Sequence, residues 1–260
     1  MKLAFIGMGN MGTALARGFL ASGKVTAADI VAFDPATDML NAKATELGFS
    51  VAATAVEAVA AADTVVLACK PQQVESVIAT LGTSLVGKAL LSIALGWDFA
   101  RYNAILPEGV RVQFVMPNTP AMVGAGVFLF EEATTLTADE LTELKALFSS
   151  LGKVITLPSS LMGIGGAVSG CGPAFADLMI EAFADAAVLY GIPRATALEM
   201  VSATLFGSAK LQLETNLHPG VLKDMVCSPA GSTIRGVAAL EASGFRAACI
   251  AAIKAIMESK

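Results

Sequence analysis

Apolar runs of strand length alternate with amphipathic or Ala-rich stretches over the first part of the chain. The apolar runs predict strands at residues 2–6, 30–34, 49–52, 64–68, 89–93 and 111–115, with two more at 125–130 and 154–156. Helical spacing fills most of the intervals between them. Regular alternation of strand and helix is typical of a parallel sheet covered by helices on both faces. We therefore expect a doubly wound α/β domain over residues 1–157.

The pattern changes after Pro158. Stretches rich in Ala, Leu and Met, with helical spacing and few strand signals, replace the alternation at residues 160–190, 193–214, 219–226, 230–241 and 244–258. We therefore expect an all-α domain over residues 158–260.

A glycine-rich turn follows the first predicted strand. Gly7, Gly9 and Gly12 form the pattern G-x-G-x-x-G, and a predicted helix begins directly after them. In a dinucleotide-binding turn the first glycine permits the bend, the second lets the backbone approach a pyrophosphate, and the third lets helix and strand pack closely. Asp34 ends the second predicted strand, about 20 residues further on, where an acid that binds a ribose belongs. The sequence therefore predicts a Rossmann-type dinucleotide-binding domain.

Charge and cysteine content exclude several classes of function. The formal net charge is −5 and the sequence pI is about 5.0, and no basic run is present, which argues against nucleic-acid binding. The four cysteines have no C-x-x-C spacing and the chain has one histidine, so we expect no metal site. Without a recognisable signal peptide and with thiols expected to be reduced, we expect a cytoplasmic protein.

The chain is unusually apolar, since 55% of its residues are hydrophobic and its mean hydropathy is +0.69. Residues 112–130 carry no charge, but Pro117, Asn118 and Pro120 interrupt them, so we expect no membrane segment. The runs 182–190 and 245–253 leave few polar positions for a solvated face. A helix that is apolar nearly all round is buried on all sides, so these runs predict a homodimer built on the second domain.

Two segments follow predicted strands, where ligands bind in doubly wound sheets. Cys69-Lys70-Pro71 follows the fourth strand, and Lys70 is expected to face the cofactor or an anionic substrate. Met116-Pro117-Asn118-Thr119-Pro120 follows the sixth strand, and its two prolines stiffen the loop. Asn118 offers a donor and an acceptor there, with the ribose or the nicotinamide as its expected target.

A third candidate segment lies in the second domain, at Cys227–Thr233. Ser228 and Pro229 have the pattern of a helix N-cap followed by proline at the first helical position. The small residues after them leave the amides of this helix end open to a carboxylate, and Thr233 adds a hydroxyl. His218, the single histidine, precedes Pro219 at a predicted helix start and is expected to be a capping or surface residue rather than a catalyst.

Four blocks in order resemble the pyrroline-5-carboxylate reductases, the last enzymes of proline biosynthesis. They are Phe5–Gly12, Cys69–Pro71, Met116–Pro120 and a C-terminal run from His218 to Glu241. Gly170–Phe175 is similar to the family's Gly-Ser-Gly-Pro-Ala-Tyr/Phe, so the resemblance covers essentially the whole chain. The family usually shows Ser-Pro-Gly-Gly-x-Thr, and Ala230 replaces its first glycine, which is a mild departure.

The resemblance implies reduction of a cyclic imine that carries a carboxylate, with hydride from NADPH or sometimes NADH. It implies substrate binding by Ser228, Gly231, Ser232 and Thr233, and we expect catalytic roles for Thr233 and Lys70 from their positions. The cofactor would contact the following residues: Gly7, Gly9, Asn10, Met11, Gly12, Asp34, Lys70, Pro71 and Asn118. It also implies interleaved helical domains in a homodimer or in a larger ring of dimers.

Two other functions and the choice of cofactor stay open at this stage. A hydroxyacid dehydrogenase of the 3-hydroxyisobutyrate type has a similar opening, but it would want a lysine near the start of the second domain, and residues 159–176 contain none. A nucleotide-sensing protein without catalysis is the second alternative. Asp34 favours NADH because an acid there repels a 2′-phosphate, whereas the family resemblance favours NADPH.

Overall fold

The computed structural model describes residues 1–259 and contains one sheet of eight strands. The strands are β1 Leu3–Ile6, β2 Ile30–Phe33, β3 Ser50–Val51, β4 Thr64–Leu67, β5 Ala89–Ser92, β6 Arg111–Met116, β7 Gly126–Thr134 and β8 Gly152–Leu157. Their spatial order is β3-β2-β1-β4-β5-β6-β7-β8. The predicted doubly wound α/β sheet is therefore confirmed.

One strand pair departs from the parallel arrangement. β7 runs antiparallel to β6, while β8 pairs with β7 in parallel. The connection from β6 to β7 contains a single 3-10 turn, Thr119–Val123. Such a connection is too short for the crossover that two parallel strands require, so the chain reverses direction at this point.

Helices cover both faces of this sheet. Those in the sheet part of the chain are α1 Asn10–Ala21, α2 Thr37–Leu47, α3 Ala55–Ala60, α4 Val74–Leu81, α5 Phe99–Ile105, α6 Ala138–Phe148 and α7 Ser159–Ser169. Leu3 and Phe5 belong to one hydrophobic core, and Ala4 and Ile6 belong to a second. Successive side chains of a strand point to opposite faces, so these two cores lie on the two sides of the sheet.

The chain divides into two compact units, Met1–Gly170 and Cys171–Lys260. Helix α7 belongs to the first unit, where it packs closely on strand residues. A Cβ at Gly165 would lie 2.7 Å from a methyl of Leu157, and one at Gly166 would lie 2.5 Å from the sulfur of Met116. The boundary predicted at 157–158 coincides with the end of the sheet and stays a prediction for the functional domains.

The second unit is all-α, as predicted. Its helices are α8 Gly172–Leu189, α9 Arg194–Thr215, α10 Pro219–Met225, α11 Ser232–Ala242 and α12 Phe245–Glu258. Ala184, Ala197 and Val201 are its buried hydrophobic residues. Many large apolar side chains are exposed on this unit, among them Leu189 at 79% and Phe206 at 66%. Its helices therefore present apolar faces that nothing within the unit covers.

Within residues 1–259, no single helix is both long and apolar enough to cross a membrane. Helices α11 and α12 meet those criteria together as a pair bent by 45°.

Candidate active site

The glycine-rich loop joins β1 to α1, and its three glycines have different surroundings. Gly7 has a φ of +96°, and a Cβ there would lie 2.8 Å from the backbone of Ala68 and Cys69. A Cβ at Gly12 would lie 2.8 Å from the carbonyl oxygen of Gly7. At Gly9 a Cβ would meet nothing within 4 Å. The first and third glycines are therefore required by packing, while the second faces open space.

Helix α1 presents unpaired backbone donors next to that open space. Gly9 is its N-cap and supplies no side-chain hydrogen bond. The first N–H groups of a helix have no acceptor within the helix, so those of Asn10, Met11 and Gly12 are open to a ligand. Together with the helix dipole, such donors attract an anion. The loop therefore has the geometry of a pyrophosphate site.

Asp34 and Lys43 hold the peptide groups of Met8 from two sides. One carboxylate oxygen of Asp34 accepts from the Met8 N–H at 2.7 Å, and the other accepts from the Ala36 N–H at 2.9 Å. The Lys43 ammonium donates to the Met8 carbonyl oxygen at 2.5 Å. The role of Asp34 toward the ribose, expected from its place after the second strand, stays a prediction. The sequence did not indicate that this carboxylate also fixes the glycine-rich loop.

The loop after β4 lies beside the glycine-rich loop, because Gly7 packs against Ala68 and Cys69. Burial raises the pKa of the Cys69 thiol to about 11, so this thiol stays protonated at neutral pH. The Trp97 indole N–H donates to the carbonyl oxygen of Pro71 at 3.1 Å. The Lys70 side chain is exposed. The predicted cofactor contacts of Lys70 and Pro71 therefore come from a loop that is held at its backbone.

Asn118 is buried, with 7% of its surface exposed, and its side chain bonds to backbone groups. The amide oxygen accepts from the Val127 N–H at 2.8 Å, and the amide nitrogen donates to the Ser169 carbonyl at 3.0 Å. Asn118 thus ties the loop after β6 to β7 and to the end of α7. One amide N–H stays available for the predicted cofactor contact.

The second-unit segment Ser228–Gly231 forms a β-turn, which corrects the expected helix start. The Gly231 N–H donates to the Ser228 carbonyl at 3.0 Å, and Ala230 has a φ of +59°. Proline at the second position and positive φ at the third are the features of a type II turn. Helix α11 begins at Ser232 with Gly231 as its N-cap, so the prediction of Ser228 as the N-cap is wrong. Ser followed by Pro is also a turn signal, and the hydrogen bond decides between the two.

The predicted open helix end is nevertheless present at the start of α11. Gly231 supplies no side-chain cap, so the N–H groups of Ser232 and Thr233 lack an acceptor within the helix. A Cβ at Gly231 would lie 2.5 Å from the Ser228 hydroxyl oxygen, so that hydroxyl lies directly against Gly231. Four of the predicted substrate contacts are therefore brought together within this unit.

His218 caps a helix, as predicted. It is the N-cap of α10, and its Nδ1 accepts from the Gly220 N–H at 3.1 Å. The side chain therefore has a local structural role.

The fold and the glycine-rich loop define a dinucleotide-binding oxidoreductase, and two family models agree with that class. A model described as NADP oxidoreductase coenzyme F420-dependent matches residues 2–96, and one described as pyrroline-5-carboxylate reductase dimerisation matches residues 159–260. The chain is 40% identical to the pyrroline-5-carboxylate reductase of Treponema pallidum, over 100% of both chains. It is 41% identical to that of Methanosarcina acetivorans, over 100% of this chain and 97% of the relative. The chain belongs to the pyrroline-5-carboxylate reductase family.

Solved structures agree with this assignment. Pyrroline carboxylate reductase of Plasmodium falciparum, with NADP bound, superposes with a TM-score of 0.89 at 28% identity, over 100% of this chain and 96% of that one. The Coxiella burnetii enzyme gives 0.89 at 29% identity, over 99% and 96%. The 3-hydroxyisobutyrate dehydrogenase of Mycobacterium tuberculosis gives 0.54 at 18% identity, over 72% and 64%, so it shares the fold alone. The hydroxyacid dehydrogenase alternative is not favoured.

Proposed function

We propose that this protein reduces L-1-pyrroline-5-carboxylate to L-proline with hydride from NADPH. The observation that carries this proposal is identity of about 40% over the full length of named pyrroline-5-carboxylate reductases. The reaction requires a dinucleotide site and a carboxylate site, and the chain has a candidate for each. The glycine-rich loop serves the first, and the open end of α11 serves the second.

The residues present fit a dinucleotide. A Cβ at Gly9 would meet nothing within 4 Å, which leaves the backbone accessible, and the first amides of α1 are uncapped. The amides of Asn10, Met11 and Gly12 would hold the pyrophosphate, and Lys70 and Asn118 would contact the nicotinamide half. When bound, the reduced nicotinamide supplies the hydride. NADP in the related Plasmodium falciparum structure supports NADPH as the cofactor here.

The second site fits a small carboxylate. The amides of Ser232 and Thr233 lie at the positive end of α11, while the Gly231 N–H closes the turn onto the Ser228 carbonyl and the Ser228 hydroxyl lies against Gly231. These groups would bind and orient the substrate carboxylate. Hydride transfer requires the reacting carbons to be held about 3–3.5 Å apart, so orientation supplies most of the catalysis.

The proton for the imine nitrogen has no dedicated histidine donor, because His218 is occupied as a helix cap. The substrate would react as its protonated iminium, or would take a proton through the Thr233 hydroxyl or a water beside it. Thr233→Ala should then lower kcat without abolishing it. His218→Ala is the matched control and should change kcat little. A folded but inactive His218→Ala enzyme would overturn this assignment.

The test of the proposed function is loss of reduced-nicotinamide absorbance that depends on pyrroline-5-carboxylate. Purified protein is assayed with NADPH and with NADH, and separately with 3-hydroxyisobutyrate and the oxidised cofactors. Imine-dependent oxidation with formation of proline is expected. Activity with the hydroxyacid alone, or cofactor binding without turnover of either substrate, would support the two alternative functions instead.

Both reduced cofactors are expected to be used. Asp34 would hydrogen-bond a 2′-hydroxyl and repel a 2′-phosphate, while the family habit favours NADPH. The carboxylate of Asp34 already accepts from Met8 and Ala36, which limits its reach toward the ribose. These two hydrogen bonds to the backbone therefore support only weak discrimination between NADH and NADPH, and not exclusive use of NADH.

The assembly is proposed to be a homodimer, alone or within a larger ring of dimers. Support comes from the dimerisation model that matches residues 159–260 and from the exposed apolar side chains of the second unit. Sedimentation at sub-micromolar protein should show dimers or larger species. A stable, active monomer would contradict this assembly.

The four free cysteines support a reducing compartment, and we propose the cytoplasm.

A further inference from the structure

The turn before α11 contains a residue in an unfavourable backbone conformation. Two non-glycine residues among those described have positive φ, Asn216 and Ala230. Asn216 is the C-cap of α9, a position and residue type for which the left-handed conformation is common. Ala230 is neither a helix C-cap nor a residue type for which this conformation is common. It occupies the third position of the turn, where glycine is normally required. Such a conformation persists only where its surroundings enforce it.

Arg235 makes one of the contacts that hold Ala230 in this conformation. Its guanidinium donates to the carbonyl oxygen of Ala230 at 3.0 Å, from a position one turn into α11. The N–H of the next residue, Gly231, donates to the Ser228 carbonyl at 3.0 Å. The peptide group between Ala230 and Gly231 is therefore held at both its oxygen and its nitrogen.

The charge of Arg235 is also unusual for its place. Among residues 1–259, no carboxylate lies within 4.0 Å of it, so no ion pair neutralises it. A cation near a helix N-terminus is disfavoured by the helix dipole. The hydrogen bond to Ala230 gives this arginine a local reason to be there.

We propose that Arg235 is a positioning residue for the substrate carboxylate, and that it is needed because residue 230 is alanine. An alanine can relieve its strain by rotating to negative φ. That rotation would displace Gly231, the N-cap of α11, and with it the amides of Ser232 and Thr233, which are the carboxylate donors in the proposed function on which this inference rests. Arg235 opposes the rotation by holding the Ala230 carbonyl. With glycine at 230 there would be no strain to oppose.

The test is a double-mutant cycle with Arg235→Met, Ala230→Gly and the double variant. Arg235→Met should raise the KM for pyrroline-5-carboxylate about fivefold or more, with the KM for NADPH changed by less than twofold. In the Ala230→Gly background the same substitution should raise the imine KM by less than twofold. Arg235→Lys, which keeps a donor and the charge, should recover part of the loss. Lys254→Met removes one exposed positive charge elsewhere in the same unit and should leave both KM values unchanged.

Two results would overturn the proposal. An unchanged imine KM in Arg235→Met would show that the contact does not position the turn. An equal rise in both backgrounds would show that Arg235 acts directly on the carboxylate by charge, without the turn.

Thermal unfolding of the wild type, Arg235→Met, Ala230→Gly and the double variant separates this inference from the proposed function. Arg235→Met should lower Tm more when residue 230 is alanine than when it is glycine, and this comparison needs no substrate. If the wild-type protein fails to reduce the imine, the proposed function fails while the Tm cycle still decides the coupling. Equal Tm losses in both backgrounds would contradict the coupling.

Discussion

Alanine substitutions at Gly9 and Gly12 should separate cofactor binding from packing in the glycine-rich loop. At Gly9 the added methyl meets nothing within 4 Å, and the residue already has a φ of −70° that alanine adopts freely. At Gly12 the methyl would lie 2.8 Å from the Gly7 carbonyl oxygen and 3.3 Å from the Ala68 Cβ. The two variants add the same methyl group at positions about one helical turn apart. At Gly9 the methyl enters open space, and at Gly12 it enters a close contact.

The expected magnitudes follow from those distances. A Cβ at 2.8 Å from a carbonyl oxygen forces α1 away from β1, and overpacking of this kind costs about 1–3 kcal/mol. For a chain of this size each kcal/mol lowers Tm by roughly 2–4 °C, so Gly12→Ala should lose about 2–12 °C. Gly9→Ala loses part of an N-cap preference, about 1 kcal/mol or less, and so should lose about 4 °C at most. Its methyl would occupy the path of the pyrophosphate, so the Kd for NADPH should rise about tenfold or more, a change of about 1.4 kcal/mol.

The assay is thermal unfolding without cofactor at one protein concentration, combined with titration of NADPH by its fluorescence. Gly9→Ala should bind weakly while remaining close to wild type in Tm, and Gly12→Ala should unfold at the lower temperature. Wild-type affinity in Gly9→Ala would refute the placement of the pyrophosphate at this loop. An unchanged Tm in Gly12→Ala would refute the close contact between α1 and β1.

Three further predictions concern single side chains. Asp34→Ser should lower kcat/KM for NADH more than for NADPH, because it removes both the acceptor for the ribose hydroxyl and the charge that faces a 2′-phosphate. Equal losses with the two cofactors would mean that Asp34 only holds the glycine-rich loop, through its hydrogen bond with the Met8 N–H. Hydrogen bonds from the Arg111 guanidinium at 2.7–3.0 Å are the chief cause that lowers the pKa of Glu140. The charged form of Glu140 therefore stabilises the fold above the unfolded pKa, about 4.3. That contribution to stability is lost as pH falls through the lower pKa of the folded state. Glu140→Gln should therefore reduce stability by about 1 kcal/mol at pH 7, and a Tm deficit that persists unchanged in acid would contradict this origin. Burial raises the pKa of Cys69 to about 11, so its thiol should resist iodoacetamide at pH 8 until the protein unfolds, and rapid labelling of the folded protein, detected by mass spectrometry, would contradict its burial.

Local pattern was sufficient for most elements of the fold. The run predicted as a strand at 64–68 is β4, Thr64–Leu67, and the run predicted at 111–115 is β6, Arg111–Met116. The capping role of His218, the bend at Gly7 and the close packing at Gly12 also followed from residue type and spacing. These features depend on residues within a few positions of one another, so a single sequence contains the information for them.

Tertiary structure alone decided where the polar side chains are directed. Asp34 bonds to the Met8 amide, 26 residues away, and Asn118 bonds to the Ser169 carbonyl, 51 residues away. The same holds for the antiparallel direction of β7 and for the packing of α7 on the sheet. Ser228 shows the limit even at short range, because Ser-Pro begins both helices and turns and the bond to Gly231 selects the turn. Apolar periodicity identifies which residues leave water, but a buried polar group must satisfy its hydrogen bonds with whatever backbone the folded chain brings beside it.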